Sequence, residues 1–135
     1  MKYDYEEINE RLHPMISGIL AGPTKSEDLT FIVDTGFEGN ILIPSRLYKK
    51  LGFHKYENPA SDFPLLETVA GMVIKIRSAP AKLCIENLEI TIDVWTMPDC
   101  NELLLGLDVL DKLLVKLNGP ERSLEILKSK RITSK

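Results

Sequence analysis

Phe31-Ile32-Val33-Asp34-Thr35-Gly36-Phe37-Glu38-Gly39-Asn40 is an apolar, β-branched run that stops on a carboxylate followed by two small residues. The pattern describes a strand delivering an acid to a tight turn. With residues 31–33 buried on both faces, Asp34 stands at the edge of a sheet, where a carboxylate is costly unless it has partners. Asp, Thr and Gly are also ordinary turn residues, so the tripeptide read alone is equally a plain turn.

A chain of 135 residues, 44% hydrophobic and 27% charged, is the size of one globular domain and can bury a core. Its net charge of -3 gives no general attraction to nucleic acid or to an anionic membrane, both of which need a basic face. Only the tail is basic, with Lys128, Lys130, Arg131 and Lys135, and a short charged end is ordinarily solvated. The longest apolar runs are too short to cross a bilayer and the N-terminus carries charges rather than a signal sequence, so the expected setting is soluble and cytoplasmic. Cys84 and Cys100 form no disulfide framework, and no Cys-x-x-Cys or His-x-x-x-His spacing offers a metal site. Both cysteines are expected to act as small buried hydrophobes. His13 and His54 stand alone, and no glycine-rich phosphate loop is present, so no cofactor is expected.

Outward from Asp34, the chain divides into an N-terminal arm over 1–11, a domain over 12–127 and the basic tail over 128–135. The arm fits either an extended segment or a helical turn. Residues 11–21 and 29–33 read as two strands joined by a Gly, Pro, Ser and Asp turn over 22–28. After 41–43, another short strand, residues 44–52 carry helix marks: Pro44 at the start, Leu47 and Leu51 on one face, Lys49 and Lys50 in the last turn, Gly52 beyond it. Residues 53–64 read as loop.

Residues 65–76 read as a hairpin whose tip, Thr68, Val69, Ala70 and Gly71, is small enough for another backbone to approach. Residues 81–85 and 88–97 form the next pair of strands, with Ile90, Ile92, Val94 and Thr96 on one face and Trp95 on the other. Leu104-Leu105-Gly106 is a short apolar strand, residues 107–114 carry a helical leucine spacing, and 114–127 close the chain as a hairpin turning at Asn118-Gly119-Pro120.

The order of apolar strand with Asp34-Thr35-Gly36, hairpin with a glycine-containing tip, then Leu104-Leu105-Gly106 and a short helix resembles the retropepsin-like aspartic proteases, in the form of their stand-alone prokaryotic members. The resemblance covers residues 12–127 and implies a mainly β fold, an acid-protease β-barrel with two short helices and one lobe per chain. In that family the acid and the later apolar-apolar-Gly segment lie side by side. It further implies a homodimeric aspartic endopeptidase acting on a peptide or protein substrate, with Asp34 as the catalytic acid. One carboxylate cannot serve as both acid and base, whereas two facing each other share a proton and activate a water. A single Asp-Thr-Gly in a chain this short calls for a second copy across a two-fold axis.

By the same resemblance Thr35 braces the two acid loops across the axis and Gly36 leaves room for substrate backbone. Phe37, Glu38 and Gly39 line the cleft, and Thr68, Val69, Ala70 and Gly71 form a flap over the substrate. Phe37 departs from the Ser, Thr or Ala of better-known members and cannot donate a hydrogen bond to the acid. A non-catalytic binding or interaction module on the same fold is therefore the alternative.

Overall fold

The computed structural model describes residues 1–67 and 69–127 of the chain; Thr68 and the basic tail 128–135 lie outside the described residues. Three short strands open it: β1 (Lys2–Asp4), β2 (Glu6–Ile8) and β3 (Arg11–His13). The arm, open between extended and helical forms in the sequence, is thus extended. β4 (Met15–Ala21) and β5 (Ser26–Val33) follow as an antiparallel pair in which Met15 faces Ile32 and Ala21 faces Ser26. The second strand begins three residues earlier than its apolar pattern predicts, because pairing with Ala21 and Leu20 recruits Ser26 and Glu27.

β6 (Ile41–Leu42) leads into α1 (Ser45–Lys50), entered through Pro44 and left through Gly52 at φ 91°, as the capping residues predict. The predicted loop after it carries two short 3-10 turns, Phe53–Lys55 and Ala60–Asp62. Then come β7 (Leu65–Glu67), β8 (Val73–Lys75), β9 (Arg77–Ile85), β10 (Leu88–Thr96), β11 (Leu104–Leu105), α2 (Leu107–Leu110), β12 (Leu114–Asn118) and β13 (Ser123–Leu127). The helix predicted over 107–114 is shorter than its leucine spacing implies. Leu114 is drawn into register opposite Leu127, and strand pairing ends the helix at Leu110.

Six strands close a barrel in the order β10-β6-β11-β5-β4-β9. Its inside follows the period-two rule: Ile90, Ile92, Val94 and Thr96 of β10 are buried while Glu89, Thr91 and Asp93 are exposed. Thr96 tolerates burial because its hydroxyl donates to the Ile43 carbonyl at 2.8 Å. Phe31, Leu83, Leu105 and the α1 residue Tyr48 are among the wholly buried side chains, each contributing about 1.5–3 kcal/mol by leaving water. Cys84 alternates with inward Leu83 and Ile85 and is therefore half-buried, and Cys100 is half-buried on a loop, so neither is the buried hydrophobe expected.

Beside the barrel, β1, β13 and β12 make a three-stranded sheet, so the two ends of the described chain pair with each other. β7 and β8 make a separate two-stranded hairpin. Among the described residues no helix is long and apolar enough to cross a membrane.

Candidate active site

Asp34 is the first residue past the end of β5, and that strand is bonded on both flanks up to it. Ile32 N–H donates to the Leu103 carbonyl at 2.8 Å, Val33 N–H to Pro14 at 2.9 Å, and Asp34 N–H to Leu105 at 2.9 Å. β11 runs parallel to β5 with Leu104 opposite Ile32 and Leu105 opposite Val33. The two segments expected side by side, 34–36 and 104–106, are therefore joined by backbone hydrogen bonds.

Past the strand the chain turns at once. Phe37 N–H donates to the Asp34 carbonyl at 3.2 Å, and Gly36 N–H donates to the Asp34 Oδ1 at 2.9 Å, fixing one carboxylate oxygen. The returning limb of the loop is held by the start of α2. Leu107 N–H donates to Phe37 at 2.9 Å, Asp108 N–H to Gly39 at 3.3 Å, and Gly106 N–H to Asn40 at 2.9 Å. Such contact needs a residue without a side chain: a Cβ on Gly106 would lie 2.4 Å from the Gly39 carbonyl oxygen and 2.5 Å from that of Phe37.

Asp34 is half-buried, whereas Thr35, Gly36 and Glu38 are exposed on the single chain. Phe37 packs edge-on against Trp95, ring centroids 5.3 Å apart at 71°, which gives the outward-facing tryptophan of β10 its contact. Gly39 is buried against that pair, since a Cβ there would meet Phe37 at 2.8 Å and Trp95 at 3.0 Å. Asp34, Gly36, Phe37 and Gly39 thus belong to one bonded loop. Val69, Ala70 and Gly71 are exposed at the tip of the β7–β8 hairpin, and Thr68 lies outside the described residues.

Register adds residues that the motif reading did not name. Leu104, Ile32 and Leu42 stand opposite one another on β11, β5 and β6, on the face away from buried Leu105 and Ile41. Leu42 and Leu104 floor an open groove of about 360 Å³, with Met97 beside them and Asn9, from the β2–β3 turn, on its rim. Period two within 104–106 and 41–43 carried the signal for the leucines; nothing in the sequence pattern connects Asn9 to them. Cys100 also lines the groove, its Sγ donating to the Glu102 carbonyl at 3.3 Å, and burial pushes that thiol up. Among the described residues no group of three or more His, Cys, Asp or Glu is placed to hold a metal ion.

The fold has solved counterparts. The chain is similar to a retropepsin-like aspartic protease from Rickettsia conorii, with a TM-score of 0.59 and 17% identity over 92% of this chain and 88% of that one. It is also similar to EIAV protease complexed with the inhibitor HBY-793, with a TM-score of 0.56 and 19% identity over 79% of this chain and 93% of that one. The fold is retropepsin-like. No family model matches the sequence, and no curated protein matches it. Within the retropepsin-like fold, Asp34 follows β5, Leu104-Leu105-Gly106 runs beside it, and the β7–β8 hairpin comes between the two in sequence.

Proposed function

We propose that the chain is an aspartic endopeptidase that works as a homodimer, with the Asp34 carboxylates of two copies facing each other across a two-fold axis. The observation carrying this reading is the placement of Asp34 itself. A half-buried acid with a fixed carboxylate oxygen ends a doubly bonded strand, in a loop clamped from behind by the residues that follow Leu105. Exposed Thr35 and Gly36 leave the loop open to a second copy.

Two such carboxylates share one proton because both cannot ionise at close range. The ionised member takes a proton from the water that attacks the peptide carbonyl, and the protonated member donates to the carbonyl oxygen. The tetrahedral product collapses as the nitrogen leaves with a proton, releasing acid and amine without metal or covalent intermediate. Thr35 braces the facing loops, Gly36 admits substrate backbone, and Phe37, Glu38 and Gly39 form the near wall of the cleft. Thr68, Val69, Ala70 and Gly71 close over the substrate and exclude water. The free cysteines fit a reducing compartment such as the cytoplasm.

Asp34→Asn is expected to abolish cleavage of an unfolded protein while light scattering still reports the dimer. Retained cleavage in that variant would overturn the assignment, and a wild-type chain that stays monomeric at micromolar concentration would favour a binding module instead. That second reading draws on Phe37, whose ring packs on Trp95 where a hydroxyl could serve the acid.

A further inference from the structure

The hairpin β7–β8 pairs in a sheet of its own, outside the barrel strand that leads to Asp34, and a line of polar contacts runs from its foot to the exit of the Asp34 loop. At the foot, residues 57–58, which lead toward β7, are clasped to residues 77–78, which follow β8. Arg77 Nε donates to Glu57 Oε2 at 2.7 Å, Asn58 N–H to the Ser78 carbonyl at 2.9 Å, and Asn58 Nδ2 to Ser78 Oγ at 2.9 Å. Tyr48, wholly buried in α1, donates its hydroxyl to the same Glu57 oxygen at 2.8 Å and so ties the clasp to the core.

Asn58 Nδ2 also donates to Asp93 Oδ1 at 3.1 Å, and Asp93 N–H donates to Asn40 Oδ1 at 2.7 Å. Asn40 in turn accepts Gly106 N–H on its main-chain carbonyl at 2.9 Å. Asp93 is the link: its side chain takes the hairpin foot and its backbone takes the loop. The sequence position explains the geometry. Parallel pairing of β10 with β6 begins at Val94 opposite Ile41, and one residue earlier the Asn40 amide oxygen continues the ladder with a side chain. Residue 58 needs a donor toward a carboxylate and residue 40 an acceptor toward an N–H, and asparagine supplies both.

We propose that Asn40 and Asn58 are positioning residues that couple, through Asp93, the foot of the flap hairpin to the loop carrying Asp34. Displacement of the hairpin foot then reaches the exit of the acid loop. The proposal rests on the protease reading for its effect on turnover, but the coupling is a property of the chain itself.

Hydrogen exchange on the full-length chain tests the coupling without activity. Losing the Asn40 acceptor in Asn40→Ala should speed exchange in peptides covering 57–64 and 73–78 by about fivefold, the effect of one hydrogen bond on a local opening. Asn40→Asp, which keeps an acceptor oxygen there, should restore the wild-type pattern. Where Asn40→Ala does not fold, Asn58→Ala decides from the other end, with faster exchange expected over 34–42. In cleavage assays each alanine variant should lose about tenfold in kcat, and the double variant no more than about twofold beyond either single one. Unchanged exchange at the distant segment, or losses that multiply, would overturn the coupling. A wild-type chain that cleaves nothing would instead remove the protease reading and leave the exchange result to stand on its own.

Discussion

The Asp34 loop and the β7–β8 hairpin are both short turns at strand ends, and they are built by opposite means. Every main-chain limb of 34–40 is tied to something else: β5 on two flanks before it, and Gly106, Leu107 and Asp108 behind it. The hairpin has strands of three residues that pair only with each other among the described residues. Leu65 is 67% exposed, Val73 63% and Val69 wholly exposed at its tip. A lone two-stranded hairpin is marginal in water, so its apolar side chains are at rest only against another surface. The Asp34 loop is therefore tied to its surroundings on both sides whereas the hairpin rests on its own ladder, and under the proposed function the first would hold the acid and the second would cover it.

The strongest way to break the rigid half is Gly106→Ala. Its φ of -104° suits any residue, so the cost is spatial: the new methyl would meet two carbonyl oxygens at 2.4 and 2.5 Å. Both neighbours are backbone and cannot rotate aside. A loss of about 3 kcal/mol or more is expected, with a melting temperature lower by about 10 °C and cleavage abolished. A variant that melts like the wild type would show that the acid loop is not clamped as described.

The difference between the two regions also governs what the sequence discloses. The strand into Asp34, the period-two face of β10 and the caps of α1 are local patterns, and each is legible because hydrophobic spacing and backbone chemistry act over a few residues. Asp34 could be singled out for the same reason. Asn40, Asn58 and Asp93 could not, because their partners are set by register between distant strands and each looks like an ordinary surface polar residue. The end of α2 departs from the leucine pattern for a related reason: Leu113 and Leu114 keep helical spacing, but Leu114 gains a cross-strand partner in Leu127. Alternation places Trp95 on the outer face of β10, but its contact with Phe37 comes from a loop distant in sequence and is not legible there.

A milder test addresses the joint between the two halves. Tyr48 is buried in the barrel core and bonds Glu57 at the hairpin foot, and desolvation, reinforced by Glu57, pushes its phenol above the ordinary value. Tyr3, held near Glu86 in β1, is likewise pushed up by burial to about 12. In both cases the native state holds its proton more tightly than the unfolded chain, so the unfolded chain deprotonates first. Stability should be constant up to about pH 10 and fall as pH rises beyond it through the native values. Tyr48→Phe should cost about 1 kcal/mol at neutral pH, read as a lower urea midpoint, and should make the alkaline decline shallower. An unchanged alkaline slope in that variant would mean that the phenol is not held as placed.

Gly71→Ala probes the loose half and should move global stability least. Gly71 sits at φ 84°, and a Cβ there would meet nothing within 4 Å, so the requirement is conformational where that of Gly106 is spatial. Forcing alanine into the left-handed region costs about 1–2 kcal/mol, but a hairpin that opens on its own can relieve that strain locally. The melting temperature should therefore stay within about 1 °C of wild type, because the cooperative unit that melts is the barrel. Exchange over 65–75 should rise, and KM for a peptide substrate should increase more than kcat falls, as expected of a cover that samples its closed form less often. A melting temperature that drops as far as for Gly106→Ala would tie the hairpin tip to the stability of the barrel and erase the contrast between a clamped loop and a loosely held hairpin.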